Sequence, residues 1–247
     1  MSDIHFDARI AAIDAVAHDG MHAPDVIDPT VEFLAELAGN GTALEFGIGT
    51  GRIAIPLRAR GISVYGLDLS PDMVAALRDK PGGIDIPVTI GDMATVRVEG
   101  EFTLVYAVWN TFINLLSQDE QVQCFRNAAA HLIPGGYFVV ETLVPGLEGL
   151  SLGETVRVTA FGPNNADVDE YDVVAQRITS HHYWNDGGRW ETWSSPCRYV
   201  WPSELDLMGR IAGLALVARW GGWRREPFTG ESTSQVSVFG RSTNGGT

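Results

Sequence analysis

The sequence predicts an α/β protein with a mainly parallel sheet, helices on both faces of that sheet, and an inserted antiparallel sheet. From residue 42 onward, short apolar stretches typical of buried strands alternate with stretches of helical periodicity. The first strand runs into a turn rich in glycine. Residues 151–200 interrupt this order with segments typical of antiparallel strands. Together these observations favour one compact domain over residues 1–247.

Three glycines spaced by two residues, Gly47, Gly49 and Gly51, follow the acid Glu45 at the end of the first strand. Glycine adopts positive φ freely and lets a ligand approach the main chain, while the next helix directs free amides to the same place. The turn therefore predicts a site for an anionic or zwitterionic ligand, although an ordinary tight turn is the alternative. A dinucleotide fingerprint would need its third glycine at position 52, which is Arg52.

The second strand, predicted over 62–68, ends on Asp68. A carboxylate there can accept hydrogen bonds from both hydroxyls of a ribose. Asp68 could instead cap the next helix, but Ser70 and Pro71 already supply a good helix start. We therefore favour a ligand role for Asp68.

The remaining elements follow from periodicity and capping signals. Residues 1–40 predict two helices, with the second helix starting after Pro29. A helix starting near Ile53 places Pro56 in its first turn, and Ser117 with Glu120 forms a capping box. The other predicted elements are strands at 86–90, 137–142, 155–161, 171–184, 189–200, 214–220 and 235–240, a helix at 202–212 and a disordered tail at 242–247.

Four motifs together carry a family resemblance: EFGIGTGR at 45–52, GLDLSPDM at 66–73, IGDM at 90–93, and an apolar fourth strand ending near Trp109 and Asn110. The chain resembles the class I methyltransferases that use S-adenosylmethionine (SAM). The resemblance implies a Rossmann-like seven-stranded sheet, with a SAM-binding core over 41–145 and a helix and hairpin that complete the core over 201–241. It also implies that the N-terminal helices of residues 1–40 form a lid or cap over the cofactor, with the segment around 18–24 as part of it.

The resemblance also implies roles for individual residues. Glu45 and the glycine turn would hold the methionine portion of SAM, Asp68 the ribose, and Asp92 the adenine amino group. Leu69 and Met93 would cover the adenine faces, and Val108 would offer its backbone carbonyl to the methionine amine. The acceptor would lie beside the residues that follow the fourth strand, of which Trp109, Asn110, Phe112 and Asn114 are the candidates.

A hydroxyl acceptor usually needs a general base, whereas an amine needs only to arrive unprotonated. The candidates for a base are His181 and His182 in the inserted sheet. Neighbouring residues of a strand point to opposite faces, so at most one of them faces the cleft. A surface histidine is the alternative for each, and the inserted sheet is equally consistent with a lid or a homodimer surface.

Composition limits the function. The formal net charge of −14, from 31 acids against 17 bases, disfavours a nucleic-acid partner. Two cysteines fit a reducing interior and provide no metal site, and no targeting or membrane-spanning segment is evident, so we expect a cytoplasmic protein. The expected function is in-line methyl transfer from SAM to N or O of a small molecule. A nicotinamide (NAD(P)-dependent) oxidoreductase and a non-catalytic SAM-binding module are the alternatives.

Overall fold

The computed structural model describes residues 23–243, so the first predicted helix, most of the proposed lid around 18–24 and residues 244–247 of the tail lie outside the described part. The helices are α1 Pro24–Ala38, α2 Ala54–Ala59, α3 Pro71–Arg78, α4 Gln118–His131 and α5 Pro202–Ile211. The strands are β1 Thr42–Phe46, β2 Ser63–Asp68, β3 Val88–Ile90, β4 Phe102–Ala107, β5 Leu132–Leu143, β6 Val156–Phe161, β7 Asn165–Asp172, β8 Arg177–Asp186, β9 Arg189–Arg198, β10 Leu214–Trp220 and β11 Ser234–Arg241.

Seven strands form the main sheet in the order β10-β11-β5-β4-β1-β2-β3. Strands β3, β2, β1, β4 and β5 pair in parallel, and β11 runs antiparallel to both β5 and β10. The predicted fold class is therefore confirmed. The direction of strand succession reverses between β1 and β4, and ligands of open α/β sheets bind at the carboxyl ends of such a strand pair.

Apolar side chains cover both faces of the main sheet, because successive residues of a strand point to opposite faces. On one face, Leu44 and Phe46 of β1 belong to a buried cluster that includes Phe125 of α4. On the other face, Ala43 belongs to a second cluster with Leu34 of α1. Burial on two sides makes the sheet a rigid base for the loops at its carboxyl edge.

Helix α1 begins at Pro24, so the prediction that it follows Pro29 was wrong. Proline has no N–H, and inside a helix it leaves the carbonyl four residues earlier without its intrahelical partner. That carbonyl belongs to Asp25, and Nη2 of Arg224 donates a hydrogen bond to it at 3.3 Å. A long-range contact thus compensates for the proline, which sequence alone could not reveal.

The capping predictions are confirmed. The Ser70 side chain accepts a hydrogen bond from the Met73 amide at the start of α3, and Ser117 and Glu120 form a reciprocal capping box on α4. Helix α4 ends at His131, and Leu132 opens β5.

The inserted sheet has four strands in the order β6-β7-β8-β9. The single strand predicted over 171–184 is wrong, because a turn at 173–176 separates β7 from β8. Oδ1 of Asp172 accepts hydrogen bonds from the amides of Val174 and Ala175, and Gln176 takes a φ of 55°. The turn places Tyr171 directly opposite Ile178 in the β7–β8 pair, so these two side chains share a face.

Within residues 23–243, the helices are too short or too polar to span a lipid bilayer.

Candidate functional site

The glycine turn connects β1 to α2 at the carboxyl edge of the main sheet. Gly47, Gly49 and Gly51 have φ values of 69°, 54° and 81°, which only glycine adopts without strain. A Cβ at Gly47 would lie 2.2 Å from Cγ2 of Thr111, whereas a Cβ at Gly49 would project into open space. The turn therefore packs against the segment after β4 at one end and leaves main-chain atoms accessible at the other.

Asp68 lies at the end of β2, beside this turn. Its Oδ2 accepts a hydrogen bond from the Gly49 amide at 2.7 Å, and its Oδ1 accepts one from the Ser70 amide at 2.8 Å. Burial raises the pKa of Asp68, against the lowering effect of these amides. The two amides fix the orientation of a carboxylate that keeps lone pairs for hydroxyl donors.

The loop after β3 is held in place by its own carboxylate and by α4. Oδ1 of Asp92 accepts a hydrogen bond from the Ala94 amide at 2.8 Å. Nδ2 of Asn127 donates to the Met93 carbonyl at 2.9 Å. Leu69, which follows Asp68, is 48% exposed although it is apolar. The loop therefore places Asp92 and Met93 on the same sheet edge as Asp68 and Leu69.

Glu45 is buried at the end of β1. Its Oε2 accepts a hydrogen bond from the Tyr106 hydroxyl at 3.0 Å. Burial raises the pKa of Glu45 to about 8, although the Tyr106 hydrogen bond and the charge of Arg52 act in the opposite direction. The carboxyl group is therefore a proton-binding site near neutral pH.

The segment after β4 is strained. Trp109 and Asn110 have φ values of 54° and 62°, in the left-handed region that residues with a Cβ seldom occupy. Oε2 of Glu141 accepts a hydrogen bond from the Trp109 amide at 2.7 Å, and Oδ1 of Asn110 accepts one from the Leu143 amide at 2.6 Å. A side chain and a backbone amide of β5 thus stabilise the two unusual conformations.

The side chains around Trp109 combine charge with aromatic surface. The guanidinium carbon of Arg52 lies 4.4 Å from the centroid of the Trp109 ring, a cation–π geometry. Oε1 of Glu141 accepts a hydrogen bond from Nε1 of Trp223 at 2.9 Å, and burial raises the pKa of Glu141. The Trp109 indole nitrogen is buried and has no hydrogen-bond partner among residues 23–243.

The other residues predicted at the acceptor side take different positions. The carbonyl of Val108 accepts a hydrogen bond from the Thr111 amide at 3.1 Å and so keeps one lone pair for a ligand. Phe112 is fully buried, and its ring centroid lies 5.5 Å from that of Phe125 in the core. Asn114 ends the short 3-10 helix Thr111–Asn114 and is partly exposed.

The two histidines lie next to each other on β8 and therefore on opposite faces of the inserted sheet. Nδ1 of His181 lies 2.8 Å from the Ser194 hydroxyl, and its Nε2 lies 3.5 Å from Glu170. Nδ1 of His182 lies 2.9 Å from Oδ1 of Asp167.

Sequence reasoning missed Arg52, Tyr106 and Glu141, which the structure brings to this edge, and Asp167, which contacts His182 in the inserted sheet. Glu141 and Tyr106 gave one usable signal, because each lies near the carboxyl end of a predicted strand. No signal pointed to Asp167, because the strand that holds it was not predicted. In the described part of the chain, no group of three or more His, Cys, Asp or Glu residues could hold a metal ion.

A family model described as a methyltransferase domain matches residues 43–136. Among solved structures, the chain is similar to the CcbJ methyltransferase from Streptomyces caelestis, with 34% identity and a TM-score of 0.85 over 95% of this chain and 96% of that one. The cypemycin N-terminal methyltransferase of a Streptomyces species is 27% identical over 205 residues, which are 81% of this chain and 83% of the relative.

A second relative matches a shorter part of this chain, at a higher identity than that of the cypemycin enzyme. The dTDP-4-amino-2,3,4,6-tetradeoxy-D-glucose N,N-dimethyltransferase of Saccharopolyspora spinosa is 32% identical over 99 residues, which are 40% of this chain and 39% of the relative.

Proposed function

The chain belongs to the SAM-dependent methyltransferases, and we propose that it methylates an amino nitrogen of a small molecule. Family membership favours this enzyme class over the two alternatives, the nicotinamide oxidoreductase and the non-catalytic binding module. The chemistry that SAM supplies is a methyl group already activated on a sulfonium, which moves to the acceptor by in-line displacement. The protein must therefore hold both partners in line and exclude water, and such positioning contributes about 7–11 kcal/mol in favourable cases.

The residues at the sheet edge fit SAM. Gly49 faces open space beside the amide-held carboxylate of Asp68, so a ribose can approach the main chain there. In the proposal Asp68 accepts hydrogen bonds from the ribose hydroxyls, Asp92 accepts one from the adenine amino group, and Leu69 and Met93 cover the ring. The methionine portion extends from the glycine turn toward Glu45 and the carbonyl of Val108.

The observation that carries the amine proposal is the acidic and aromatic character of the acceptor side. In the proposal the Trp109 ring, which the guanidinium of Arg52 contacts, and the partly buried carboxyl group of Glu141 lie on this side, and the chain as a whole carries a formal net charge of −14. Carboxylates and aromatic faces both attract a protonated amine. The names of two relatives, an N-terminal methyltransferase and an amino-sugar N,N-dimethyltransferase, agree with a nitrogen acceptor.

Tritiated SAM and matched acceptors test this proposal. The panel contains an aminodeoxy sugar nucleotide, a tripeptide with a free α-amino group, and the corresponding compounds with a hydroxyl in place of the amine. We expect label in an amine and not in its hydroxyl counterpart. Label only in a hydroxyl compound, or no label in any compound by an enzyme that binds S-adenosylhomocysteine (SAH), would contradict the amine proposal.

We also propose that the protein forms a homodimer through its inserted sheet. Strand β6 has a paired neighbour on one side only among residues 23–243, and it exposes Val156, Val158 and Phe161. Such an edge can pair with another strand and supports a homodimer through the inserted sheet. Sedimentation analysis of Val158→Lys tests the homodimer, since an unchanged dimer would exclude this edge.

We propose no nucleic-acid partner and a cytoplasmic location. The net charge of −14 supports the absence of a nucleic-acid partner, and two buried free thiols support a cytoplasmic location.

A further inference from the structure

We infer that His182 is the group that takes the proton from the acceptor amine, and that Asp167 is its positioning residue. This inference rests on the proposed function, because it takes the acceptor to be an amine that arrives as an ammonium ion.

The register of the inserted sheet decides which histidine faces the core. Asp167, His182 and Trp193 lie directly opposite one another on β7, β8 and β9 and so form one row across the sheet. Tyr171, Ile178 and Cys197 form a parallel row four residues away on β8, and all three are buried in the main core cluster. The two rows are offset by four positions along β8. Because this offset is even, the side chains of both rows point to the same face of the sheet.

His182 therefore lies on the core-facing side of the inserted sheet, about 13 Å along β8 from the buried row. Trp193 packs against Met73 of α3, the helix that starts just after Asp68. Strand β9, which contains Trp193, also contacts the 3-10 helix Thr111–Asn114, which follows β4. Strand β9 thus contacts elements that follow β2 and β4, the two strands whose carboxyl ends flank the proposed SAM site.

The contacts of His182 orient its ring. The ring is stacked on that of Trp193, with centroids 5.2 Å apart and an interplanar angle of 19°. Nδ1 lies 2.9 Å from Oδ1 of Asp167, so this nitrogen carries a hydrogen and donates a hydrogen bond to the carboxylate. Nε2 is then an acceptor, and it has no hydrogen-bond partner among residues 23–243. A base needs such an oriented and available lone pair.

His181 lacks this arrangement. It lies on the opposite face, and both of its ring nitrogens have neighbours, Ser194 at Nδ1 and Glu170 at Nε2. It therefore serves as a matched control within the same strand.

Two other carboxylates on the face of His182 have neighbours of their own. Asp169 accepts a hydrogen bond from the Ser180 hydroxyl at 2.6 Å, and Glu191 pairs with Arg189 at 3.0 Å. Asp186 lies at the turn end of the same face, opposite Arg189. Of the carboxylates on this face, Asp167 is the one that lies directly opposite His182 and contacts its ring.

Nε2 of His182 takes one proton from the ammonium group of the acceptor and becomes an imidazolium, which the Asp167 carboxylate stabilises. The freed lone pair of nitrogen forms a bond to the methyl carbon, and the carbon–sulfur bond breaks with its electron pair going to sulfur. The products are a methylated ammonium and neutral SAH, and the imidazolium returns its proton to solvent.

The turnover test compares His182→Asn with His181→Asn, using whichever amine of the panel wild type methylates. The Asn amide can still donate to Asp167, so His182→Asn removes the base and keeps that hydrogen bond. We expect kcat to fall by about 100-fold or more, with SAH affinity unchanged, whereas His181→Asn stays within about twofold. Added imidazole should restore part of the lost rate in His182→Ala, which a purely structural role would not allow. Asp167→Asn should lower kcat less than His182→Asn.

Wild-type kcat in His182→Asn would overturn the inference, and so would a lowered kcat that imidazole does not restore in a folded His182→Ala variant. A second measurement needs no acceptor. In protein labelled with ¹³C-histidine, the ring signal of His182 should move when SAM replaces SAH, because only SAM carries the sulfonium charge, while the signal of His181 stays in place. Equal signals for His182 in the two complexes would also overturn the placement. This measurement can be made even if no amine of the panel is methylated. A failure of the amine proposal can therefore be distinguished from a failure of the His182 placement.

Discussion

The Tyr106 hydroxyl donates a hydrogen bond to Oε2 of Glu45 across 3.0 Å, and neither side chain is more than 3% exposed. Tyr106 lies on β4 and Glu45 on β1, so the bond joins the two strands at which the sheet order reverses. Because burial raises the pKa of Glu45 to about 8, the carboxyl group is mostly protonated at neutral pH when no ligand is bound.

This proton makes stability depend on pH. The pKa of Glu45 rises from 4.5 to about 8 on folding, so over this interval the folded chain holds a proton that the unfolded chain releases. The free energy of unfolding is therefore expected to fall as the pH rises from about 5 to about 8. Glu45→Gln should reduce this slope, as measured by urea unfolding at several pH values. Exposed Glu148→Gln is the control, and equal slopes in Glu45→Gln and wild type would contradict the explanation.

Asp68 gives a prediction about cofactor affinity. Asp68→Asn removes the charge that strengthens hydrogen bonds to ribose hydroxyls, and each such bond is worth about 1.5–3 kcal/mol. We expect calorimetry to show SAH binding that is weaker by about tenfold or more. Asp72→Asn, at an exposed position in the first turn of α3, should bind SAH like wild type. An unchanged dissociation constant for Asp68→Asn would remove Asp68 from the site.

Glu141 is expected to maintain the strained backbone after β4. Its two oxygens accept hydrogen bonds from the Trp109 amide and from Trp223. A glutamine has one acceptor oxygen in place of two, so Glu141→Gln leaves one of these partly buried donors unpaired, at a cost of about 1 kcal/mol. Hydrogen exchange at Trp109 and Asn110 should accelerate, relative to wild type and to the Glu148→Gln control. Unchanged exchange there would mean that Glu141 does not hold the segment.

The cofactor half of the site could be predicted because its signals are local. The glycine spacing, the position of Asp68 at a strand end and the Ser70 cap each depend on residues close in sequence. The register of the inserted sheet could not be predicted in the same way. Its turn at 173–176 contains no glycine or proline, and it depends on the side chain of Asp172 and on a left-handed Gln176.

Long-range contacts set a second limit. Glu141 and Trp109 are 32 residues apart, and the hydrogen bond between them forms only because β5 lies next to β4 in the sheet. The pairing of His182 with Asp167 likewise requires the β7–β8 register. Sequence patterns indicated which residue types were available at the sheet edge, but the partners of those residues follow from strand order.

A buried ion pair attaches the inserted sheet to the core. Nη2 of Arg198, the last residue of β9, lies 2.7 Å from Oε1 of Glu204 in α5, and the two side chains are 6% and 12% exposed. Burial alone would raise the pKa of Glu204, but hydrogen bonds from Arg198, Gln118 and Gln176 hold it below the usual value. The pair is therefore charged at neutral pH and shielded from solvent.

Breaking this pair from one side should destabilise the protein strongly. Glu204→Gln leaves the Arg198 charge buried without its counterion, which typically costs about 3–5 kcal/mol. The control is Asp85→Asn, because the Arg58–Asp85 pair has side chains 40% and 62% exposed, and such surface pairs contribute about 1 kcal/mol or less. Urea unfolding of the two variants measures the difference. If Glu204→Gln lost no more free energy of unfolding than Asp85→Asn, the pair would not be what anchors the inserted sheet, and the position of His182 would depend on the apolar row of Tyr171, Ile178 and Cys197 instead.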